Sequence, residues 1–161
     1  GMYNRTYPSF PLSSVDFTPS TQRVIVTGTG TRFGIPLDSL GSGMRIGFRM
    51  LLGTLMMRDT ILLVEEIDAF QHPESLSKLL SALVETARAN RLQVFLTTHR
   101  AETIASLIEV VNDDEVIDGR VIPVALDSGG CLRSRTIPFK RAVEITGTGY
   151  DFRNFEDFIA E

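Results

Sequence analysis

Cysteine is almost absent from this sequence, since Cys131 is the only one among 161 residues. A single thiol excludes an internal disulfide and a cysteine-based zinc site, so a reducing cytoplasm is the expected setting. Long apolar runs are missing as well. No stretch reaches the ~18 residues that a membrane-spanning helix needs, and we predict no signal peptide. The sequence therefore favours a cytoplasmic protein without a membrane partner.

Basic residues are also scarce relative to acidic ones. There are 16 Lys and Arg residues against 20 Asp and Glu residues, which gives a formal net charge of -4. This balance argues against broad, non-specific binding of DNA, although a local basic patch is compatible with it. Hydrophobic residues make up 43% of the chain, which suits a globular domain with a real core.

The hydrophobic pattern predicts an α/β fold. The segment "RVIVTG" (23–28) is predicted to be a strand. Apolar residues at helical spacing begin at Met44, with Ser42 as the candidate N-cap, and continue at Phe48, Leu51, Leu52 and Leu55. Two apolar runs, 60–64 and 92–98, are typical of buried parallel strands, and an amphipathic helix follows each of them. The apolar face predicted for the first of these helices consists of Leu76, Leu79, Leu80, Leu83 and Ala87. This strand–helix–strand–helix order predicts a three-layer domain with a mostly parallel sheet and right-handed crossovers.

The rest of the chain is organised around this unit. Residues 1–22 show no helical period and predict an irregular N-terminal arm, whereas residues 23–161 predict a single domain. Short strands around Gly129-Gly130 predict a C-terminal β-hairpin, which is followed by a short helix near 139–146.

Side chains with useful chemistry follow both predicted parallel strands. Glu65 and Glu66 come after the first strand, and Thr97-Thr98-His99 ends the second. In a parallel sheet, the carboxyl ends of the strands and the loops after them form the ligand crevice. One of two adjacent carboxylates can hold a hydrated magnesium ion while the other orients or deprotonates a water. A histidine one strand away can contact a terminal phosphate.

A third element lies upstream of these strands. The segment "SLGSGMR" (39–45) places glycines and Ser42 at a predicted helix start, where N–H groups and the helix dipole attract an anion. Each element also has an ordinary explanation: a solvated turn for Glu-Glu, a cap for Thr-Thr-His, and loop formation for the glycines. Their order and spacing together favour a nucleotide site.

These segments resemble the C-terminal half of ABC-type ATPases of the SMC/RecF kind. The segments "SLGSGMR", "ILLVEEIDAFQHPE" (61–74) and "FLTTHR" (95–100) carry the resemblance, which is closest to the branch of the OLD (overcoming lysogenization defect) nucleases and related AAA-type proteins. It places residues 68–72 at the D-loop, and "GYDFRN" (149–154) is similar to a closing Asp-x-Arg element. The resemblance implies a partial P-loop NTPase fold, with magnesium and ATP as cofactors of the complete ATPase.

The resemblance also implies residue roles. Glu65 takes the magnesium-side Walker B position, holding the ion through water, and Glu66 takes the position of the catalytic base. Ser42 and Gly43 correspond to nucleotide-binding residues of the signature loop. His99 corresponds to the switch histidine.

The sequence departs from the family pattern in three places. The mildest departure is Ile67, which stands where proline is common. Serine normally follows the leucine of the signature directly, but here Gly41 follows Leu40. No G-x-x-x-x-G-K-[ST] motif occurs, and the two lysines, Lys78 and Lys140, lie outside any glycine-rich loop. The resemblance therefore implies a partner, namely a lobe or subunit that carries the Walker A phosphate loop, in a homo- or hetero-dimer.

The sequence leaves three functions open. The first is an ATPase fragment or subunit that another phosphate loop completes. The second is a non-catalytic interaction or regulatory module that keeps the ATPase fold without nucleotide turnover. The third is nucleic-acid binding through a basic cluster, although charge patterning favours a solvated face. The cluster consists of Arg120, Arg133, Arg135, Lys140 and Arg141.

Overall fold

A computed structural model of the protein describes residues 2–8, 11–112 and 118–147. The chain divides into two compact units, Gly1–Thr97 and Thr98–Glu161. The closing element predicted from "GYDFRN" lies outside the described residues. Among the described helices, none is long and apolar enough to cross a membrane.

The first unit contains three helices and two sheets in its described part. The helices are α1 (Met2–Thr6), α2 (Ser42–Met56) and α3 (Pro73–Ala89), and a short 3-10 turn spans Leu37–Ser39. The strands are β1 (Leu12–Thr18), β2 (Arg23–Gly28), β3 (Gly34–Pro36), β4 (Ile61–Val64) and β5 (Gln93–Leu96). Strands β1, β2 and β3 form an antiparallel sheet, and β4 pairs with β5 in parallel.

The N-terminal residues are more regular than the sequence predicted. In place of an irregular arm over 1–22, the chain forms α1 and β1. The side chain of Asn4 joins these elements, because its amide donates to the Leu12 carbonyl at 2.7 Å and its oxygen accepts from the Leu12 N–H at 2.7 Å. Most of β1 is exposed. Pairing with β2 rather than burial of an apolar face therefore orders this strand, and a hydrophobic pattern cannot reveal such pairing.

Parallel pairing is confined to β4 and β5 in the described part of the chain, so a mostly parallel sheet is not confirmed. The two strands end together, with Val64 opposite Leu96. Both were predicted to be buried, but one face of the pair is exposed: Ile61 is 55%, Leu63 74% and Phe95 46% exposed. An apolar run indicates that a strand is suited to burial, but it does not indicate which other segment covers the strand.

The core of the first unit includes a cluster between α2 and α3, and a second one in which Val26 of β2 and Leu37 pack with Phe48 of α2. The predicted apolar face of α3 is confirmed, because all five of its members are buried: Leu76, Leu79, Leu80, Leu83 and Ala87. Leu79 belongs to one buried cluster with Leu51 of α2. Phe48 of α2 is also buried, whereas Leu52 and Leu55, predicted for the same face, are exposed.

The second unit contains two helices and four short strands in its described part. These are α4 (Ala101–Asn112), β6 (Arg120–Val121), β7 (Val124–Leu126), β8 (Leu132–Ser134), β9 (Ile137–Pro138) and α5 (Phe139–Gly147). Strand β7 pairs antiparallel with β8, which confirms the predicted hairpin, and β6 pairs antiparallel with β9. Ile108 of α4 packs with Ala142 and Ile145 of α5 in a buried cluster.

Candidate functional site

The two carboxylates lie at the carboxyl end of β4, as predicted. Glu65 and Glu66 follow the strand directly, and both are exposed. The backbone N–H of Glu66 donates to Thr97 Oγ1 at 2.9 Å, and the N–H of Ile67 donates to the Thr97 carbonyl at 3.2 Å. The N–H of Thr97 in turn donates to the Val64 carbonyl at 2.9 Å. The end of β5 therefore holds the backbone that carries both carboxylates.

A tight turn follows Glu66. Glu66 itself has a φ of 48°, and Phe70 has a φ of 60°, both in the left-handed region that non-glycine residues rarely adopt. The N–H of Ala69 donates to the Glu66 carbonyl at 2.8 Å. Ile67 and Asp68 are 1% and 6% exposed, so they anchor the turn in the unit. Strained backbone of this kind persists only where surrounding contacts hold it.

The predicted nucleotide-binding residues Ser42 and Gly43 lie in the first turn of α2. The N-cap of this helix is Gly41, so the prediction that Ser42 caps it is wrong; Ser42 is its first helical residue. A Cβ on Gly43 would overlap the carbonyl oxygen of Phe70. Gly43 therefore allows the turn after the carboxylates to approach α2 closely.

Two polar residues that the sequence did not single out, Tyr7 and Gln71, complete this contact. The Tyr7 hydroxyl donates to Gln71 Oε1 at 2.9 Å and lies 3.2 Å from the Gly43 carbonyl oxygen. The Gln71 amide donates to the same Gly43 carbonyl at 3.0 Å. Tyr7 was missed because it lies in the interval predicted to be irregular. Gln71 was missed because a lone amide beside His72 carries no periodic signal.

The electrostatics of Tyr7 follow from this burial. Burial, and to a smaller extent the neighbouring Tyr3, raise the pKa of Tyr7 to about 12, and the hydrogen bond with Gln71 acts in the opposite direction. The two tyrosine rings lie 4.9 Å apart. The Tyr7 hydroxyl therefore stays protonated at neutral pH and can donate its hydrogen bond to Gln71.

His99 belongs to the second compact unit. It is exposed, and it lies between Thr98, whose Oγ1 accepts from the Arg100 N–H at 3.0 Å, and the start of α4 at Ala101. The Thr-Thr-His segment therefore leads from β5 into α4, as the sequence predicted. The proximity of His99 to Glu66 stays a prediction.

The carboxylates at the end of β4 fit a magnesium ion only if water and a nucleotide supply its other ligands. In residues 2–8, 11–112 and 118–147, no group of three or more His, Cys, Asp or Glu side chains is arranged to hold a metal ion. Magnesium in nucleotide sites usually keeps several waters and binds one or two carboxylates together with substrate phosphates. The exposed pair Glu65 and Glu66 suits a hydrated ion shared with a nucleotide, and does not suit an ion held by protein alone.

The basic cluster is largely neutralised by its neighbours. Three of its arginines form ion pairs with nearby carboxylates: Arg120 with Asp118 at 3.1 Å, Arg133 with Asp127 at 2.9 Å, and Arg141 with Glu144 at 2.5 Å. Each of these arginines is more than half exposed. This arrangement supports the solvated face that the charge pattern favoured.

Solved structures with a similar fold are ATPase heads of SMC proteins. One, described under ATP-driven dimerization and DNA-stimulated activation of SMC ATPases, aligns with a TM-score of 0.62 at 11% identity over 91% of this chain and 85% of its own. An Smc head bound to the C-terminal winged-helix domain of ScpA gives 0.62 at 13% identity, over 89% of this chain and 42% of its own. An Smc head with an extended coiled coil, bound to the C-terminal domain of ScpA from Pyrococcus furiosus, gives 0.60 at 13% identity, over 91% and 35%.

The fold is therefore the one found in SMC ATPase heads, which is a P-loop NTPase fold. The sequence assigns the chain further. Residues 4–105 match the family described as "AAA domain, putative AbiEii toxin, Type IV TA system", and the chain belongs to this family. An uncharacterized protein of Methanocaldococcus jannaschii is 35% identical over 115 residues, which are 71% of this chain and 99% of that protein. The predicted resemblance to SMC-like and AAA-type ATPases is confirmed.

Proposed function

We propose that this chain is the carboxylate-bearing part of an ATPase whose phosphate loop comes from another segment or subunit. In this proposal Glu66 orients or deprotonates the attacking water, and Glu65 holds a hydrated magnesium ion. Ser42 and Gly43 contact the nucleotide at the start of α2, and His99 contacts the terminal phosphate. Magnesium, when bound, neutralises charge on the phosphate oxygens.

The observation that carries the proposal is the hydrogen bond by which Thr97, the residue after β5, holds the backbone of Glu66. The Glu66 N–H donates to Thr97 Oγ1 at 2.9 Å, at the edge where Val64 and Leu96 end their parallel pairing. Carboxyl ends of parallel strands are where α/β proteins bind ligands. A carboxylate carried on a fixed backbone, and itself exposed, is suited to orient a water that a substrate brings to it.

The exposed face of β4 and β5 supports the part of the proposal that concerns a partner. Ile61, Leu63 and Phe95 form an apolar face on a parallel pair, and parallel strands are normally covered on both faces. Burying one such side chain stabilises an assembly by about 1.5–3 kcal/mol. A lobe that carries the phosphate loop is the partner we propose for this face. The SMC-type structures described as undergoing ATP-driven dimerization are a precedent in the same fold.

The test is phosphate release by this chain mixed with its candidate partner lobe. Glu66→Gln keeps the shape of the side chain and removes the base, so turnover should fall by ~100- to 10,000-fold while nucleotide binding persists. Glu109→Gln, an exposed glutamate on α4, is the matched control and should keep the wild-type rate. If Glu66→Gln hydrolyses ATP as fast as wild type, the catalytic assignment fails, and a non-catalytic interaction or regulatory module takes its place.

Two further variants separate the roles within the site. Glu65→Gln should raise the magnesium concentration needed for half-maximal turnover, because its proposed role is to hold the hydrated ion. His99→Ala should slow turnover with less effect on nucleotide binding. A magnesium titration of phosphate release distinguishes the two, since only the Glu65 variant should shift its midpoint.

A further inference from the structure

We infer that Tyr7 and Gln71 are positioning residues that fix the turn carrying Glu66 against the start of α2. The inference rests on the proposed function for its effect on turnover. We call the contact of Tyr7, Gln71 and Gly43 the latch. It joins three segments that are distant in sequence, namely the residue after α1, the first turn of α2, and the end of the turn after β4.

The latch is a buried hydrogen-bond network. Tyr7 is 4% exposed and Gln71 is 7% exposed. The Gln71 side chain is used at both ends, because its oxygen accepts from the Tyr7 hydroxyl at 2.9 Å and its amide donates to the Gly43 carbonyl at 3.0 Å. A buried polar group that loses its partner carries a desolvation penalty. Each member of the latch therefore depends on the other two.

Two glycines, four residues apart on α2, make room for the latch. A Cβ on Gly43 would overlap the Phe70 carbonyl oxygen, and a Cβ on Gly47 would overlap the Tyr7 hydroxyl and lie 2.6 Å from its Cζ. Residues four apart lie on the same face of a helix. This glycine face of α2 receives the Tyr7 ring and the Phe70 carbonyl side by side, so Gly43 has a packing role that is separate from any contact with nucleotide.

The turn between Glu66 and Gln71 couples the position of Gln71 in the latch to the position of Glu66. The Gln71 N–H donates to the Asp68 carbonyl at 3.2 Å, and the Ala69 N–H donates to the Glu66 carbonyl at 2.8 Å. These bonds, with the left-handed backbone at Phe70, leave few ways to move Gln71 without moving Glu66. The latch and the Thr97 hydrogen bond thus hold the turn from its two ends.

The experiment compares two near-isosteric variants, Tyr7→Phe and Gln71→Met, with the control Tyr3→Phe. The Tyr3 hydroxyl is buried and makes no hydrogen bond within the described part of the chain, so the control removes a tyrosine hydroxyl from α1 and leaves the hydrogen bonds of the latch intact. Hydrogen exchange is measured on the full chain, and kcat and KM for ATP are measured with the partner lobe. In both latch variants, amides 66–71 should exchange about 2- to 10-fold faster, as loss of one hydrogen bond predicts.

In the mixture, kcat should fall by about tenfold, with KM for ATP changed less than twofold, because a misplaced Glu66 affects the reacting geometry. The β1–β2 amides report general destabilisation and should keep their exchange rates. Unchanged exchange at 66–71 in both variants overturns the inference. Faster exchange with an unchanged kcat also overturns it, since the latch would then serve packing alone. If the wild-type mixture hydrolyses no ATP, the proposed function fails by itself, and the exchange result alone decides the latch.

Discussion

Tyr7 and Tyr3 are tyrosines whose titration should differ between the folded and unfolded chain, and Tyr7 is the one that belongs to the latch. Its folded pKa of about 12 lies above the ordinary tyrosine value of 10.0, because burial disfavours the phenolate. A raised pKa means that the associated stability is fully present below the unfolded value and is lost as the pH rises through the folded one. The window for this loss is therefore from about pH 10 to about pH 12.

This gives a prediction at the scale of one residue. The free energy of unfolding should fall between pH 10 and pH 12 in the wild type, and it should fall less in Tyr7→Phe, which has no hydroxyl to ionise. Tyr3, whose pKa burial also raises to about 12, contributes the same kind of loss in both proteins. Urea denaturation across this pH range is the measurement. Identical losses in the two proteins would show that Tyr7 is not buried as described.

Two glycines of α2 differ in whether the structure has room for a side chain at their positions. Gly47 faces Tyr7, whereas a Cβ on Gly53 would meet nothing within 4 Å. Both positions are helical, so alanine at either one gains the same helix propensity. The difference between the two substitutions therefore isolates packing.

Gly47→Ala should destabilise the chain by about 1–3 kcal/mol, because the new methyl group forces the Tyr7 ring away from α2. Gly53→Ala should stabilise it by about 0.5–1 kcal/mol, because glycine costs this much relative to alanine inside a helix. Chemical denaturation of the two variants measures both effects. Equal changes in the free energy of unfolding would contradict the close packing of Tyr7 on α2.

The β7–β8 hairpin depends on one carboxylate in its turn. Asp127 accepts hydrogen bonds from the N–H groups of Cys131 at 2.8 Å and Gly129 at 2.9 Å, and from Arg133 Nε at 2.9 Å. The Cys131 N–H, followed by Arg133, lowers the pKa of Asp127 below its ordinary 3.8. The turn is therefore held by an ionised acceptor.

A lowered pKa places the stabilising effect above the ordinary value, and the effect is lost as the pH falls through the folded value. We expect the amide signals of Gly129 and Cys131 to shift together as the pH falls below about 4, when Asp127 takes up a proton. Asp127→Asn should remove this titration. NMR spectra recorded on acidification test the expectation, and an unchanged pair of amide signals would refute it.

At the scale of the whole molecule, the proposed function assigns the carboxylate side of an ATPase site to this chain, whose sequence contains no G-x-x-x-x-G-K-[ST] motif. Phosphate affinity in such folds comes mainly from a glycine-rich backbone cradle and its lysine. We therefore expect the chain by itself to bind magnesium-ATP weakly or not at all. Calorimetry on the purified chain is the measurement, and micromolar binding would disprove the expectation. Adding the partner lobe should produce the missing affinity.

Local pattern fixed much of this molecule. The strand predicted at 23–28 is β2 with the same bounds, and the predicted apolar face of α3 is buried in full. The position of Glu65 and Glu66 directly after β4 could also be read from an apolar run followed by two carboxylates. Periodicity and turn residues determine such features, because they depend on neighbours within about one helical turn or one strand.

Tertiary structure decided the rest. Strand β1 exists because β2 pairs with it, and the exposure of Leu63 depends on which segments reach the face of the parallel pair. The latch between Tyr7 and Gln71 joins residues 64 positions apart. Gly43, which could be read from the sequence as a loop former, lies in the first turn of α2 and leaves the space that this contact needs. These features depend on which surfaces meet, and a single sequence records the composition of each surface without recording its partner.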